Sequence, residues 1–277
     1  MEKVIYFRFD IDTISCIRDG IDPLLQLGQE LGLQFTFFAN MGKSISRREV
    51  LLRSPLRTLG NVLPQQVRKV SAAKKLGLPN VVKTLLLNPN VGFAHPQVLE
   101  KILAAGHELG LHGGSNHSTW QRNAQHWSVP QIADAMQATH ERFCRQFGRP
   151  SGFASPGGNG SALINDYLHS MGYRYVSDRM QSRATTVFQE PSGLQHIPIN
   201  VQIQQVPVLE SLFAQGLAAG PLLAQAVELF TQPHLKTAVG HPCFEGKAGF
   251  PLLQQLCRIL VQQGYVFRAY KQLLAAS

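Results

Sequence analysis

The stretch "KVIYFRFD", residues 3–10, is rich in β-branched and aromatic residues and is typical of a buried β-strand. A helical pattern follows in "GIDPLLQLGQELG" (20–32), and a second apolar run, "LQFTFFAN" (33–40), comes next. Two strands that are joined by a helical crossover run parallel in the same sheet. The beginning of the chain therefore predicts an α/β fold built on a parallel sheet.

The same alternation continues to the end of the chain. Further strands are predicted at 109–112, 151–155, 173–178, 194–200 and 235–241, and a last strand or turn at 265–270. Further helices are predicted at 96–108, 129–148, 161–172, 221–232 and 249–264. About seven parallel strands are compatible with a barrel or with an open doubly-wound sheet. No glycine-rich phosphate fingerprint follows the first strand, which argues against the nucleotide-binding form of the open sheet.

The composition is that of a folded protein with a sizeable core. Hydrophobic residues make up 44% of the 277 residues and charged residues 16%, which argues against disorder. The formal net charge is +9. Ten Lys and Arg residues and a single acid, Glu49, lie between Lys43 and Lys83, so this segment alone accounts for the whole excess. The charge distribution therefore predicts one local basic surface.

The sequence contains no pattern that is typical of an exported protein. Arg8 and Asp10 would interrupt the apolar core of a signal peptide, and no apolar run approaches the roughly 18 residues that span a bilayer. The four cysteines form no C-x-x-C pair and are typical of reduced thiols. We therefore expect a cytoplasmic protein.

Polar residues gather where the predicted strands end. The first strand ends in Asp10-Ile11-Asp12, and the third ends in His112, with His117 five residues further along. The other polar strand ends are Ser155-Pro156-Gly157-Gly158, Asp178 and His241. In a parallel barrel the carboxyl ends of all strands meet at one face, where active sites form.

These residue types are suited to a metal-dependent hydrolase. The carboxylate of Asp12 and the imidazoles of His112 and His117 can bind a divalent ion and leave positions open for water and substrate. Zinc suits these ligands, and so do cobalt, manganese, iron and nickel. Asp10 lies two residues before Asp12, so both side chains share one face of the strand and Asp10 can act as the general base. His241 can protonate a leaving amine.

Each of these signals is weak by itself. An Asp-x-Asp pair is common in loops, and His112 and His117 do not have the spacing of two ligands on one helix. His241 by itself could satisfy a carbonyl group, and Asp178 could cap its own loop. The metal hypothesis depends on the conjunction of these residues at predicted strand ends.

The same positions carry motifs that resemble those of the polysaccharide deacetylases, the NodB-like or carbohydrate esterase family 4 type. "RFDIDT" (8–13) is similar to the first motif of that family, in an Asp-x-Asp form, and "GHELGLHGGSNHSTWQ" (106–121) is similar to its histidine motif. "FASPGG", "YVSD" and "TAVGHPCFEG" resemble the later motifs, in the same order. The resemblance runs from Val4 to about Leu274 and is greatest to the branch that deformylates undecaprenol-linked amino sugars.

The resemblance implies a distorted (β/α) barrel, a single catalytic domain over residues 1–277, and hydrolysis of an N-acyl group on an amino sugar. It implies three catalytic groups, namely the base Asp10, the general acid His241 and the oxyanion-binding N–H of Gly157. It also implies three metal ligands, Asp12, His112 and His117. Three further residues would line the substrate site: Trp120, Pro156 and Asp178.

Two features depart from the usual pattern of that family. Ala154 stands where the polysaccharide enzymes carry an arginine that steadies the base, so Asp178 lacks its usual partner. The deformylase branch also lacks this arginine. The histidine motif is also one residue longer than usual. Either the loop bulges at Gly113-Gly114 or the geometry of the metal site changes.

The basic segment, roughly 43–92, is predicted to be an insertion after the second strand. Its leucines and valines interleave with cations, which is typical of helices that lie in a membrane interface. Each near-surface cation contributes about 1 kcal/mol of attraction to anionic lipid. The membrane-docking residues would include Arg47, Arg48, Arg53, Arg57, Arg68 and Lys69. A solvated basic lid is the alternative, whereas nucleic-acid binding is disfavoured because the segment has no aromatic residue for base stacking.

Together these features predict a metal-dependent hydrolase that removes a formyl or acetyl group from a lipid-linked amino sugar. This hydrolase would be a peripheral protein at the inner face of the membrane. Two alternatives remain open. One is a deacetylase of a soluble carbohydrate or small amide, and the other is an inactive, membrane-associated barrel that binds sugar.

Overall fold

The structure, a computed structural model, describes residues 2–46, 87–184 and 186–274. Its strands are β1 (Lys3–Ile11), β2 (Thr36–Ala39), β3 (Glu108–His112), β4 (Gly152–Ala154), β5 (Tyr175–Val176), β6 (Phe188–Gln189), β7 (Gln195–His196), β8 (Gln202–Ile203), β9 (Val206–Pro207), β10 (Thr237–Gly240) and β11 (Tyr265–Phe267). Its helices are α1 (Ile21–Leu31), α2 (Val91–Ala94), α3 (Pro96–Ala104), α4 (His117–Asn123), α5 (Val129–Phe147), α6 (Ala162–Ser170), α7 (Val208–Ala214), α8 (Ala219–Thr231), α9 (Pro242–Glu245), α10 (Phe250–Gln262) and α11 (Tyr270–Leu273).

The main sheet is organised around β1. Its strand order is β10-β1-β2-β3-β4-β5-β7-β6, and only the pairing of β6 with β7 is antiparallel. Two strands share one edge of β1, because β11 pairs with its first residues, Lys3 to Ile5, and β10 pairs with Tyr6 to Phe9. Strand β1 therefore holds together the first and last parts of the chain.

The sheet curls into a barrel, and the segment 197–201 bridges its two ends. Ile197 donates its backbone N–H to Val176 in β5 at 2.9 Å, and Val201 donates to Thr237 in β10 at 2.9 Å. Seven parallel strands, β10, β1 to β5 and β7, thus surround one interior. The predicted α/β fold, a distorted (β/α) barrel of about seven parallel strands, is confirmed.

Residues of β1 alternate between the barrel interior and the layer that faces the helices. Ile5, Phe7 and Phe9 belong to the large outer core, where they pack beneath the helices. Tyr6 belongs to the smaller core inside the barrel. Because the alternation has a period of two, Arg8 and Asp10 lie on the same interior face as Tyr6.

The sequence pattern missed the region that follows β7. No element was predicted between residues 201 and 220, yet the structure forms the β8–β9 hairpin and helix α7 there. Both strands of the hairpin have only two residues, which is too short to produce a hydrophobic period. Strands β4 and β5 are likewise shorter than the predicted runs at 151–155 and 173–178.

The described ends of the predicted insertion lie together. Lys43 forms an antiparallel bridge with Asn90 and a parallel bridge with Asn116. The side chain of Asn88 donates to the Ile45 carbonyl at 2.7 Å and accepts from the Ile45 N–H at 3.3 Å. The membrane-docking residues predicted in this segment lie outside the described residues: Arg47, Arg48, Arg53, Arg57, Arg68 and Lys69. Among the helices that are described, none is both long and apolar enough to span a bilayer.

His107 is a buried histidine at the amino-terminal end of β3, away from the strand ends that form the site. Its Nδ1 accepts a hydrogen bond from the Phe35 N–H at 3.1 Å, and its ring stacks on Phe35 with centroids 5.5 Å apart. Burial lowers the pKa of His107 to about 4. The folded protein therefore holds this imidazole in its neutral form.

We expect the free energy of unfolding to fall as the pH is lowered from 6.5 towards 4, because there the unfolded chain protonates His107 and the folded protein does not. A shift of this size corresponds to a loss of about 3 kcal/mol. Urea titrations at a series of pH values measure this loss. The His107→Leu variant should show a flatter pH dependence than a control at the exposed His126, His126→Leu. Equal slopes in the two variants would contradict the assignment.

Candidate metal centre and active-site cavity

A cavity of about 720 Å³ opens at the carboxyl ends of the barrel strands. This volume is typical of clefts that bind small molecules. The structure brings the following sequence-predicted residues to its wall: Asp10, Asp12, His112, His117, Gly157, Asp178 and His241. They come from five separate strand ends, so the barrel unites residues that are up to 231 positions apart, from Asp10 to His241.

Asp12, His112 and His117 converge on one point of the cavity. Oδ1 of Asp12 lies 3.2 Å from Nε2 of His112 and 3.2 Å from Nε2 of His117. The buried Asp12 Oδ1 and His117 Nε2 have no hydrogen-bond partner. Ligands about 2.1 Å from a shared ion lie roughly 3 to 3.5 Å apart, so this donor set fits a divalent cation.

Each histidine is oriented by its surroundings. Nδ1 of His112 lies 2.8 Å from the Ala154 carbonyl, which fixes this nitrogen as the donor and leaves the Nε2 lone pair towards Asp12. His117 is the first residue of α4, and its backbone N–H donates to the Lys43 carbonyl at 2.8 Å. Asn116 caps the helix by accepting from the Thr119 N–H at 3.0 Å.

The two glycines between these histidines allow the loop to turn back. Gly113 has φ +70°, which is unfavourable for residues with a side chain, and a Cβ there would lie 2.6 Å from Pro156. A Cβ on Gly114 would lie 2.2 Å from the carbonyl oxygen of Ala135. The longer histidine motif is thus accommodated by a tight glycine turn, and both imidazoles still reach Asp12.

Electrostatics favour the ionised form of Asp12. Burial alone would raise its pKa, but the imidazoles of His117, His112 and His241 outweigh burial and hold the pKa of Asp12 well below its usual value. A carboxylate in this form is ready to bind a cation without first losing a proton.

Asp10 is held by an arginine of its own strand. Nη2 of Arg8 donates to Oδ2 of Asp10 at 2.9 Å, and Nη1 of Arg8 donates to the Ser177 carbonyl. The guanidinium is buried, with a 4% exposed side chain, and lies over the ring of Phe38. Oδ1 of Asp10 is buried without a hydrogen-bond partner and belongs to the cavity wall. Arg8 therefore places a positive charge beside Asp10, which the apolar side chain of Ala154 cannot do.

His241 is held by two glutamates. Its Nδ1 lies 2.6 Å from Oε1 of Glu210 in α7, and its backbone N–H donates to Oε2 of Glu245 at 2.6 Å. Its Nε2 faces the candidate metal centre, 3.6 Å from Oδ2 of Asp12. Although the ligand atoms of Glu210, His241 and Glu245 lie within 4.8 Å of one another, these hydrogen bonds explain the cluster as a support for the imidazole.

Asp178 lies two residues beyond β5 and supports the turn after β4. Its Oδ1 accepts from the Ser155 N–H at 2.6 Å, while Oδ2 is buried without a hydrogen-bond partner. In the same turn Gly157 has φ +65°, and a Cβ there would lie 2.6 Å from Gln121. The turn therefore requires glycine where it borders the cavity.

Two residues that were expected at the substrate site lie elsewhere. Trp120 is fully buried, packs against Phe153 and Trp127, and donates its indole N–H to the Asn159 carbonyl at 3.2 Å. Pro156 is buried against Gly113. Neither residue is part of the described cavity wall, because both side chains pack into the protein interior behind it.

The sequence profile of the polysaccharide deacetylase family matches residues 1–176, more than half of the 277 residues. The chain belongs to the polysaccharide deacetylase family. The matched range includes the following residues of the cavity wall: Asp10, Asp12, His112, His117 and Gly157.

A protein of Shewanella sediminis, named as a 4-deoxy-4-formamido-L-arabinose-phosphoundecaprenol deformylase, ArnD, is 23% identical to this chain over 197 residues. The match covers 70% of this chain and 62% of the relative, so the chain spans less than two thirds of that relative's length.

Solved structures show the same fold at low identity. A protein of the polysaccharide deacetylase type from Mycobacterium smegmatis is 13% identical with a TM-score of 0.63, over 100% of this chain and 91% of that one. A family 4 pseudoenzyme from Bacillus anthracis is 12% identical with a TM-score of 0.57, over 99% of this chain and 66% of that one. These likenesses establish the fold of the family and carry no information on activity.

Sequence analysis missed Arg8 and Glu210 as site residues of this family member. Arg8 was noticed only as a charge inside an apolar strand, although its position two residues before Asp10 places both on one face. Glu210 is a single acid in the apolar run "VPVLESLF", and buried acids of this kind are rare without a partner. Nothing in the sequence, however, indicates that this partner is His241.

We expect Glu210→Gln to lower kcat about 100-fold, because the variant loses the charge that holds His241 in one orientation and tautomer. Steady-state assays of amide hydrolysis measure kcat and KM separately, and the exposed Glu228 supplies the control variant, Glu228→Gln. A kcat within twofold of the unmodified protein would exclude a contribution of Glu210 through His241.

Proposed function

We propose that this protein is a metal-dependent hydrolase that removes an N-acyl group, formyl or acetyl, from an amino sugar. The observation that carries the proposal is the convergence of three ligand atoms, from Asp12, His112 and His117, beside two further titratable groups. Asp10 and His241 approach the same point from separate strands. An arrangement of this kind serves amide hydrolysis, which needs both a base and an acid.

Each group has a distinct task in the proposed reaction. A divalent ion bound at this site supplies Lewis acidity towards the amide carbonyl and towards water. Asp10, oriented by Arg8, removes a proton from the attacking water. His241, oriented by Glu210, donates a proton to the leaving amine nitrogen. The N–H of Gly157 contributes to binding the oxyanion, and Asp178 fixes the turn that presents it.

We propose a zinc ion as the native metal, since one carboxylate and two imidazoles suit it; cobalt, manganese, iron and nickel fit the same ligands. The substrate class is supported by the family and, for a lipid-linked sugar, by the likeness to the Shewanella sediminis protein. A soluble carbohydrate or small amide is the alternative substrate. The alternative of an inactive barrel that binds sugar is disfavoured because the candidate ligands, base and acid are all present.

The proposal is tested by incubating the metal-loaded protein with formylated and acetylated amino-sugar lipids and measuring released formate and acetate. We expect Asp10→Asn to keep stoichiometric metal but to lower turnover about 10²- to 10⁴-fold, because the base is lost. The exposed Asp22 provides the matched control, Asp22→Asn. Near-normal turnover of Asp10→Asn would remove Asp10 from the role of base. Protein that holds no stoichiometric ion after supplementation with zinc, cobalt, manganese or iron would refute the hydrolase proposal.

We further propose that the protein works at the cytoplasmic face of the membrane, where its basic insertion docks onto anionic lipid. The insertion leaves and rejoins the barrel beside the site, since Lys43 pairs with Asn90 and its carbonyl accepts from the His117 N–H. Leu87, at the described end of this segment, is 61% exposed. Docking there would bring a lipid-linked sugar next to the cavity mouth.

We expect the substitution of Arg47, Arg48, Arg53 and Arg57 by Gln to weaken binding to anionic liposomes, because up to about 1 kcal/mol is lost per cation. Liposome co-sedimentation measures binding, and a short soluble substrate should still be hydrolysed. The control variant replaces four exposed cations elsewhere on the barrel: Arg145, Arg174, Arg258 and Lys271. Equal binding of both variants and the unmodified protein would discard membrane docking by this segment.

A further inference from the structure

A second hollow, of about 440 Å³, adjoins the active-site cavity. The two spaces share Arg179, which lies on the wall of both. A third hollow, of about 220 Å³, shares Arg183 with the second and also contains Lys236. Arg179 and Arg183 therefore lie along a row of hollows that begins at the cavity of the candidate metal centre.

The charge of the second hollow is positive. Its described lining carries two guanidinium groups and includes no Asp or Glu. Arg179 contacts Glu190 through Nη2 at 3.2 Å, but its side chain remains 59% exposed and has further N–H donors. Glu190 is buried and is also held by His196, whose Nδ1 lies 2.8 Å from it. The carboxylate thus steadies Arg179, whose exposed side chain lines the hollow.

The backbone of Arg183 has an unfavourable conformation that a neighbouring side chain stabilises. Arg183 has φ +66°, a left-handed conformation that residues with a side chain seldom adopt. The side chain of Asn200 imposes it, because its Oδ1 accepts from the Arg183 N–H at 2.8 Å and its Nδ2 donates to the Ala184 carbonyl at 2.9 Å. Asn200 is itself buried, at 8% exposure. Unfavourable backbone conformations that are held in this way are typical of ligand-binding loops.

We propose that Arg179 and Arg183 form a subsite for a phosphate ester carried by the sugar substrate. Two guanidinium groups that line one hollow offer the N–H donors and the positive charge that phosphate oxygens bind. This inference rests on the proposed function, since it assigns the hollow to the part of the substrate beyond the reacting amide. The subsite would favour phosphate-linked amino sugars over neutral glycosides of the same sugar.

The test compares kcat/KM for an N-formylated amino sugar 1-phosphate with kcat/KM for its neutral methyl glycoside. We expect the ratio of the two values to fall at least fivefold in Arg179→Gln and in Arg183→Gln, and at least tenfold in the double variant. Arg268→Gln is the matched control. Arg268 is a partly exposed arginine that is paired with Glu2, just before the amino-terminal end of β1 and opposite the site, and its loss should leave the ratio unchanged. A ratio within twofold of the unmodified protein in the double variant would overturn the proposal.

Two further measurements separate the possible sources of a failure. One outcome is that the double variant loses affinity for the polyprenyl phosphodiester of the same sugar but keeps its affinity for the soluble 1-phosphate. In that outcome the second hollow recognises the lipid, and the phosphate subsite is refuted. Calorimetric binding of the 1-phosphate to unmodified and double-variant protein requires no turnover. Weaker binding by the double variant would support the subsite even if no amide were hydrolysed, and equal binding would refute it.

Discussion

The site depends on the parallel pairing of β1 with strands from both ends of the chain. Strand β2 pairs along one edge of β1, and β10 and β11 divide the other edge between them. Because parallel strands end at the same face, this pairing places Asp12 beside residues that follow β3 and β10. The contact between Asp12 and the two imidazoles is a consequence of this register.

The groups around the candidate metal centre form two pairs of similar design. In one pair Arg8 holds Asp10, and in the other Glu210 holds His241, each through a hydrogen bond to a buried partner. Pairing of this kind fixes the direction of a side chain and keeps a buried charge compensated. The proposed base and the proposed acid are therefore each held by a partner of their own.

The loop that carries the proposed phosphate subsite is also held by hydrogen bonds to a buried side chain. Asp178 and Arg179 are adjacent in the chain, and the backbone N–H of Arg179 donates to Nε2 of His196 at 3.1 Å. Nε2 of His196 also accepts from the Asp178 N–H at 3.4 Å, so one imidazole holds both Asp178, which supports the turn at Gly157, and Arg179. The loop that would recognise the phosphate is in this way attached to the loop that borders the reacting amide.

The sequence by itself determined the α/β class, the succession of strands and helices, and the polar residues at strand ends, because these follow from hydrophobic period and local turn chemistry. It did not reveal the β8–β9 hairpin or α7, whose elements are too short for a periodic signal. Only the tertiary structure decided that Arg8 serves Asp10, that Glu210 serves His241, and that Trp120 packs into the core rather than the cavity. The physical reason is that these contacts join positions whose distance depends on strand order and barrel curvature, which no local pattern encodes.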